Sequence, residues 1–188
     1  MFDRAGVGSR CAMTVLGDLK GRLADAAREQ GARYAGGEDR PLRGYAIAMG
    51  TYACLVGAIA GGVKAAGKEV PDGLPLTDIA LSAAATHKLS RLLARDPVTS
   101  PLRAPFTSYR GTAGPAELAE EARGQGARKT VGELVTCPFC TGTWIATGLT
   151  AGLIYAPRAT RLVTATLAAL AGADLLQFAH SWLDKAAS

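Results

Sequence analysis

The chain has 188 residues, a net charge of +5, and 48% hydrophobic against 20% charged residues. That length suits about one domain. The basic residues alternate with acidic ones, as in the 18–25 stretch, and lack the interleaved aromatics of a single-strand binding groove, so nucleic acid is not an expected partner. No P-loop, dinucleotide fingerprint or Ser-His-Asp hydrolase motif is present.

In chain order, residues 1–44 carry eight Lys or Arg and no apolar core near the terminus, so no cleavable signal peptide is expected. Val15, Leu16, Leu19, Leu23 and Ala26 recur at helical spacing over 15–33. This predicts an amphipathic helix on a membrane or on the rest of the protein, with a solvated helix as the alternative. Gly36, Gly37 and Pro41 mark 34–44 as a linker. Four apolar blocks then follow at 45–63, 74–93, 138–156 and 162–178, each near the ~17–25 residues of a helical span. The first is free of charge, the second carries His87, Lys88 and Arg91, and the last contains Asp174.

Between the second and third blocks, Pro97, Pro101 and Pro105 exclude a continuous helix and predict a stiff extended loop. A short surface helix is predicted at 116–123, and Thr130 with Glu133 reads as a capping box opening another. The expected fold is therefore all-α: a polytopic membrane bundle of about four transmembrane helices over 45–182. A cytoplasmic amphipathic segment at 1–44, a proline-rich cytoplasmic loop at 94–136 and a C-terminal tail at 183–188 complete it. Segments 1–44 and 94–136 hold eight and six basic residues, against Lys64, Lys68, Arg158 and Arg161 in the opposite loops. That bias predicts a multi-pass cell-membrane protein with both termini cytoplasmic.

Gly57 with Gly61, and Gly148 with Gly152, form GxxxG pairs continued by Ala165 and Ala169. They serve close packing inside one bundle or between copies, and homo-oligomerisation competes with the former. Asp174 is expected to pair with Lys88 or Arg91, a contact that is structural or marks an ion path extended by His87 and His180. The polar ends of the spans are expected to be covered by a cap in which Arg103 bridges to Glu133, or Asp96 to Arg91.

Cys137 and Cys140, separated by Pro138 and Phe139, open the third block. Three readings stand: a redox pair at a helix start, half of a zinc or iron site, or reduced structural thiols. The motif is similar to the Cys-Pro-x-Cys of glutaredoxins, but no βαβ pattern flanks it. A metal would need further ligands, with Cys11 and His180 or a second copy as sources and Cys54 too distant. No cofactor is expected, with zinc as the alternative.

The strings KLSRLLARDPVTSPLRAPF (88–106) and GELVTCPFCTGTWIA (132–146) occur in order and spacing that resemble the small bacterial membrane-protein family called domain of unknown function 1360. The resemblance covers about 76–182 and leaves 1–75 as an addition to typically shorter members of about three spans. It maps the family signature to Arg91, Asp96, Ser100, Arg103, Pro105, Phe106, Gly132, Glu133, Cys137, Cys140, Gly142 and Trp144, with no catalytic role attached. Some members are named sporulation proteins. That name implies no molecular activity; the first expectation is a non-enzymatic scaffold or assembly component of the envelope, linked to spore formation through the family name, with the lipid bilayer, further copies or other membrane proteins as partners. A thiol-redox or metal protein is the rival, and a small transporter acting through Asp174 and Lys88 comes third.

Overall fold

The computed structural model describes residues 5–37 and 40–187, with side chains from residue 17 onward. Cys11, Val15, Leu16 and the extreme termini therefore lie outside the described residues or side chains. Seven helices and one hairpin follow in the order α1 (Ala5–Ala35), α2 (Leu42–Ala65), α3 (Leu76–Arg95), α4 (Ser100–Arg103), β1 (Thr107–Gly114), β2 (Glu117–Ala122), α5 (Ala127–Val135), α6 (Pro138–Tyr155) and α7 (Pro157–Ala187). A 3-10 turn, Pro97–Thr99, leads into α4.

From Gly17 onward helix α1 is exposed along most of its length, Leu19 and Leu23 included. Its polar side carries the i→i+4 pairs Arg22–Asp18 and Arg33–Glu29. Gly36 and Gly37 adopt positive φ, +58° and +94°, and end the helix as the linker glycines predict.

Helix α3 is the centre of the fold, packed on both α6 and α7. Asp78 meets Arg161 near the starts of α3 and α7, and Lys88 meets Asp174 further along both, so these two helices run parallel. Pro157 begins α7 directly after α6 ends at Ala156, which reverses the chain without a loop. Helix α2 lies parallel to α6. Hydrogen bonds join it to the α5–α6 segment at three levels: Tyr45 to Glu133, Tyr52 to Thr147, and Tyr155 to the Ile59 carbonyl.

Four sequence expectations change. The fold is mostly helical, not all-α, because β1 and β2 form an antiparallel hairpin pairing Thr107 with Ala122 and Tyr109 with Glu120. The surface helix predicted at 116–123 is thus strand β2. Its Glu and Ala residues favour a helix locally, but pairing with a Thr- and Tyr-bearing strand overrides a weak propensity. The loop around the prolines is not extended: Pro97 follows the Asp96 cap of the 3-10 turn, and Pro101 occupies the first turn of α4, where a missing N–H costs nothing. Thr130 is no cap. Helix α5 starts after Gly126, and the Thr130 hydroxyl returns to the Gly126 carbonyl at 3.1 Å from inside the helix.

Of the four expected spans, the first and last fall on helices long and apolar enough to cross a membrane, Leu42–Ala65 and Pro157–Ala187. Helix α3 carries Asp78, Lys88, Arg91 and Arg95, and α6 carries Thr141, Thr143, Thr147 and Thr150.

Three of the four GxxxG residues are not where the helices approach. A Cβ on Gly57, Gly61 or Gly148 would meet nothing within 4 Å, and only Gly152 of the four has a neighbour, Thr160 at 2.6 Å. The tight contacts fall at Gly44 against Thr130, at Gly62 against the Tyr155 hydroxyl (2.5 Å), and at Gly132. At Gly132 a Cβ would lie 2.6 Å from the Phe106 carbonyl oxygen and 2.8 Å from the Ala122 methyl. Gly132→Ala is therefore expected to destabilise the purified protein by about 1–3 kcal/mol through overpacking, whereas Gly57→Ala, mid-helix in open space, is expected to hold or raise the unfolding midpoint by removing a helix-interior glycine. Equal midpoints for the two variants would contradict this packing.

Candidate functional site: a buried arginine cap and a dithiol corner

Helix α3 ends because Asp96 turns the chain with extended dihedrals and Pro97 cannot continue it. The last carbonyls of α3 then need donors. Arg103, at the end of α4, supplies them. Its guanidinium donates to the carbonyls of Leu93 (2.8 Å) and Asp96 (3.1 Å), to the Thr99 hydroxyl (2.6 Å) and to Glu120 of β2 (2.5 Å). The Arg103 side chain is 2% exposed and that of Glu120 6%. Thr107 donates to the Arg103 carbonyl at 3.0 Å, tying the first residue of the hairpin to the same knot.

Arg91 holds the other end of β2 through Glu117. The expected bridges thus change partner: Arg103 pairs with Glu120 instead of Glu133, and Arg91 pairs with Glu117 instead of Asp96. Asp96 caps the 3-10 turn through the Val98 amide at 2.8 Å, and Glu133 accepts from Tyr45. The sequence reading missed Glu117 and Glu120 because it placed them on a surface helix.

Past the hairpin, α5 ends at the dithiol corner. Cys137 caps α6, its sulfur accepting the Cys140 N–H at 3.2 Å and lying 2.6 Å from the Cys140 sulfur. Both thiols are free and half-buried, while Phe139 between them is 89% exposed. Cys140 opens onto a cleft of about 450 Å³ between α2 and α6, lined also by Tyr45, Met49, Tyr52, Leu134 and Trp144. Tyr52 and Trp144 meet edge to face with ring centroids 5.2 Å apart.

Among the described residues no group of three or more His, Cys, Asp or Glu comes together to hold a metal. Cys54 is exposed on α2, and His180 sits 3.5 Å from Asp184 on α7. Two sulfurs fall short of the four ligands of a structural zinc site. What the corner can do by itself is dithiol–disulfide exchange.

Helices α3 and α7 are joined by two ion pairs about 20 Å apart along α7 at 1.5 Å per residue. The structure brings together Lys88 and Asp174, 2.5 Å apart. It adds Asp78 and Arg161, a two-pronged contact at 2.9, 3.1 and 2.8 Å in which Asp78 is 5% exposed. The second pair was readable from the sequence: Asp78 interrupts an apolar block, and Arg161 directly precedes another. One turn from Asp78, the buried Ser82 hydroxyl has no partner among the described residues. His87 is exposed.

A mostly helical protein whose central helix is closed by a buried arginine, followed by a Cys-Pro-aromatic-Cys helix start, is the class that fold and site define. Residues 81–180 match the family described as a protein of unknown function, DUF1360, and the chain belongs to that family. It is also 31% identical over 111 residues to the sporulation protein YjcA of Bacillus subtilis (strain 168), a match covering 57% of this chain and 94% of that protein. No solved structure matches. The matched region holds the arginine knot, the dithiol corner and both ion pairs except Asp78; α1 and α2 lie outside it.

Removing one partner of the Arg103–Glu120 pair strands a buried charge. Arg103→Met or Glu120→Gln is expected to cost about 3–5 kcal/mol and to open the 107–122 hairpin to protease. The double variant recovers part of that loss. If either single variant leaves both stability and protection untouched, the knot does not hold the hairpin.

Proposed function

We propose that this chain is a multi-pass protein of the bacterial cell membrane, with four spans and both termini cytoplasmic, acting as a non-enzymatic scaffold or assembly component of the envelope. The observation that carries the reading is an inverted interior. The buried hydrophobic residues among those described are Val63, Ala85, Ala94 and Leu153, while Asp78, Ser90, Thr99, Arg103, Thr107, Thr130, Thr160 and Thr164 are buried polar groups. The large apolar residues point outward, among them Ile47, Met49, Leu55 and Val56 on α2 and Leu162, Leu170, Leu175, Leu176 and Phe178 on α7. Water would penalise so much exposed apolar surface, and lipid would solvate it.

Polar charges on α3 and α7 are tolerable in such a setting because they are paired. Helix α7, about 46 Å long, exceeds a ~30 Å hydrocarbon core and carries Trp182, His180 and Lys185 out to one interface. Under this orientation the hairpin and arginine knot cover the cytoplasmic ends of α3 and α6. A link to spore formation follows from the relative's name alone.

A second reading is favoured by one observation, the two free sulfurs 2.6 Å apart beside an apolar cleft. In it the pair is a thiol-redox centre, or binds zinc jointly with the pair of a second copy. Metal analysis of protein purified without chelator, together with titration of the thiols against a glutathione redox series, separates the two. The scaffold reading expects metal-free protein with inert thiols, and stoichiometric zinc lost in Cys137→Ser would replace it.

Topology has its own test. In a cysteine-free background, Arg158→Cys is expected to react with an impermeant thiol reagent in intact cells, and Asp184→Cys only after the membrane is opened. Purified protein that stays folded and monomeric in buffer without detergent would overturn the membrane reading itself.

A further inference from the structure

The cap contains two cations without a counter-charge among the described residues. Strand β2 ends at Ala122, and Arg123 donates its backbone N–H to the Phe106 carbonyl at 2.9 Å. The next residues, Gly124 and Gly126, have φ of +84° and +58°, so the chain reverses within RGQGAR and places Arg128 in the first turn of α5. The reversal is tight, since a Cβ on Gly124 would lie 3.0 Å from the Arg128 side chain.

As a result both guanidiniums converge on one atom, the Pro105 carbonyl oxygen. Arg128 reaches it through Nε at 2.9 Å and Nη2 at 2.6 Å, Arg123 through the same atoms at 3.4 and 3.3 Å. One neutral oxygen thus serves two exposed, adjacent positive charges. Elsewhere in the cap each arginine is matched: Arg91 by Glu117, Arg103 by Glu120 and Arg110 by Glu121. The three glutamates of the hairpin are thereby committed, and neither Arg123 nor Arg128 has a carboxylate partner among the described residues. Their Nη1 groups make no hydrogen bond within the described structure.

We propose that Arg123 and Arg128 form a binding site for a phosphate group, presented by an anionic lipid headgroup or as free phosphate. A phosphate accepts forked N–H pairs from two guanidiniums at once and cancels the repulsion between them, which the Pro105 carbonyl cannot do. The lipid source rests on the membrane reading above, under which this turn lies at the cytoplasmic interface, where anionic headgroups attract clustered arginines. The phosphate chemistry itself does not rest on it.

The test uses the full chain purified in a neutral detergent. In one arm, native mass spectrometry compares retention of phosphatidylglycerol and phosphatidylcholine added in equal amounts. In the other, thermal unfolding is followed with inorganic phosphate at constant ionic strength balanced by chloride. The wild type is expected to prefer phosphatidylglycerol, with Arg123→Gln/Arg128→Gln losing about tenfold or more in affinity and Arg110→Gln on the same hairpin retaining it.

Should the glutamine pair fail to fold, Arg123→Lys/Arg128→Lys keeps both charges without the forks and is expected to fall between. A response to inorganic phosphate alone, lost in the same variants, assigns the site to free phosphate. No preference and no phosphate response in the wild type, or equal responses in variant and wild type, overturns the proposal. A failed membrane reading would look different: protein soluble without detergent whose phosphate response persists.

Discussion

The buried guanidinium of Arg103 is the contact on which the cap depends. A two-stranded hairpin alone is marginal in water, and this one has glycines in β1 and a left-handed Ala116 (φ +58°) in its turn. It persists because Glu120 is needed by Arg103, and Arg103 is needed by the carbonyls that end α3. Desolvating an ion pair usually costs about what its attraction returns. Here the remaining N–H groups of the guanidinium go to the Leu93 carbonyl, which faces Pro97 and its missing N–H, and to the Asp96 carbonyl and Thr99 hydroxyl, which shifts the balance toward formation.

From that knot the rest of the cap is positioned in sequence. The hairpin returns at Arg123, whose amide bonds the Phe106 carbonyl, and the same carbonyl abuts Gly132 on α5. Any side chain at 132 would push α5 off the hairpin. Because α5 leads within two residues into the Cys137 cap of α6, the geometry of the dithiol corner is inherited from the packing at Gly132 and, behind it, from Arg103.

What the sequence made legible was whatever depends on spacing within one element. Four of the five long helices, near 42–65, 76–95, 138–155 and 157–187, follow apolar blocks and flanking prolines, and Lys88 and Asp174 stood out because each interrupts such a block. The hairpin was illegible because ELAEEA (117–122) is a good helix sequence, and only its pairing with β1 and its three ion pairs make it a strand. The glycines were only partly legible for a related reason. GxxxG spacing states that a helix has a small-residue face, but Gly57 and Gly61 face open space while Gly44, Gly62 and Gly132, which lie in no such pair, sit at the contacts.

The attachment of α2 differs in kind from the rest. Helices α3, α6 and α7 pack on one another along their lengths, whereas α2 meets its neighbours chiefly through tyrosine hydroxyls at three heights, Tyr45, Tyr52 and Tyr155. Tyrosines span a gap that aliphatic packing would close, and the cleft beside Cys140 is that gap. Since α2 lies outside the region matched to the family, one wall of the cleft is built from residues beyond it. The Cys137 and Cys140 pair lies inside the matched region and the aromatic enclosure on its α2 side lies outside it, so the thiols and one wall of their cleft come from separate parts of the chain that only the tyrosine contacts bring together.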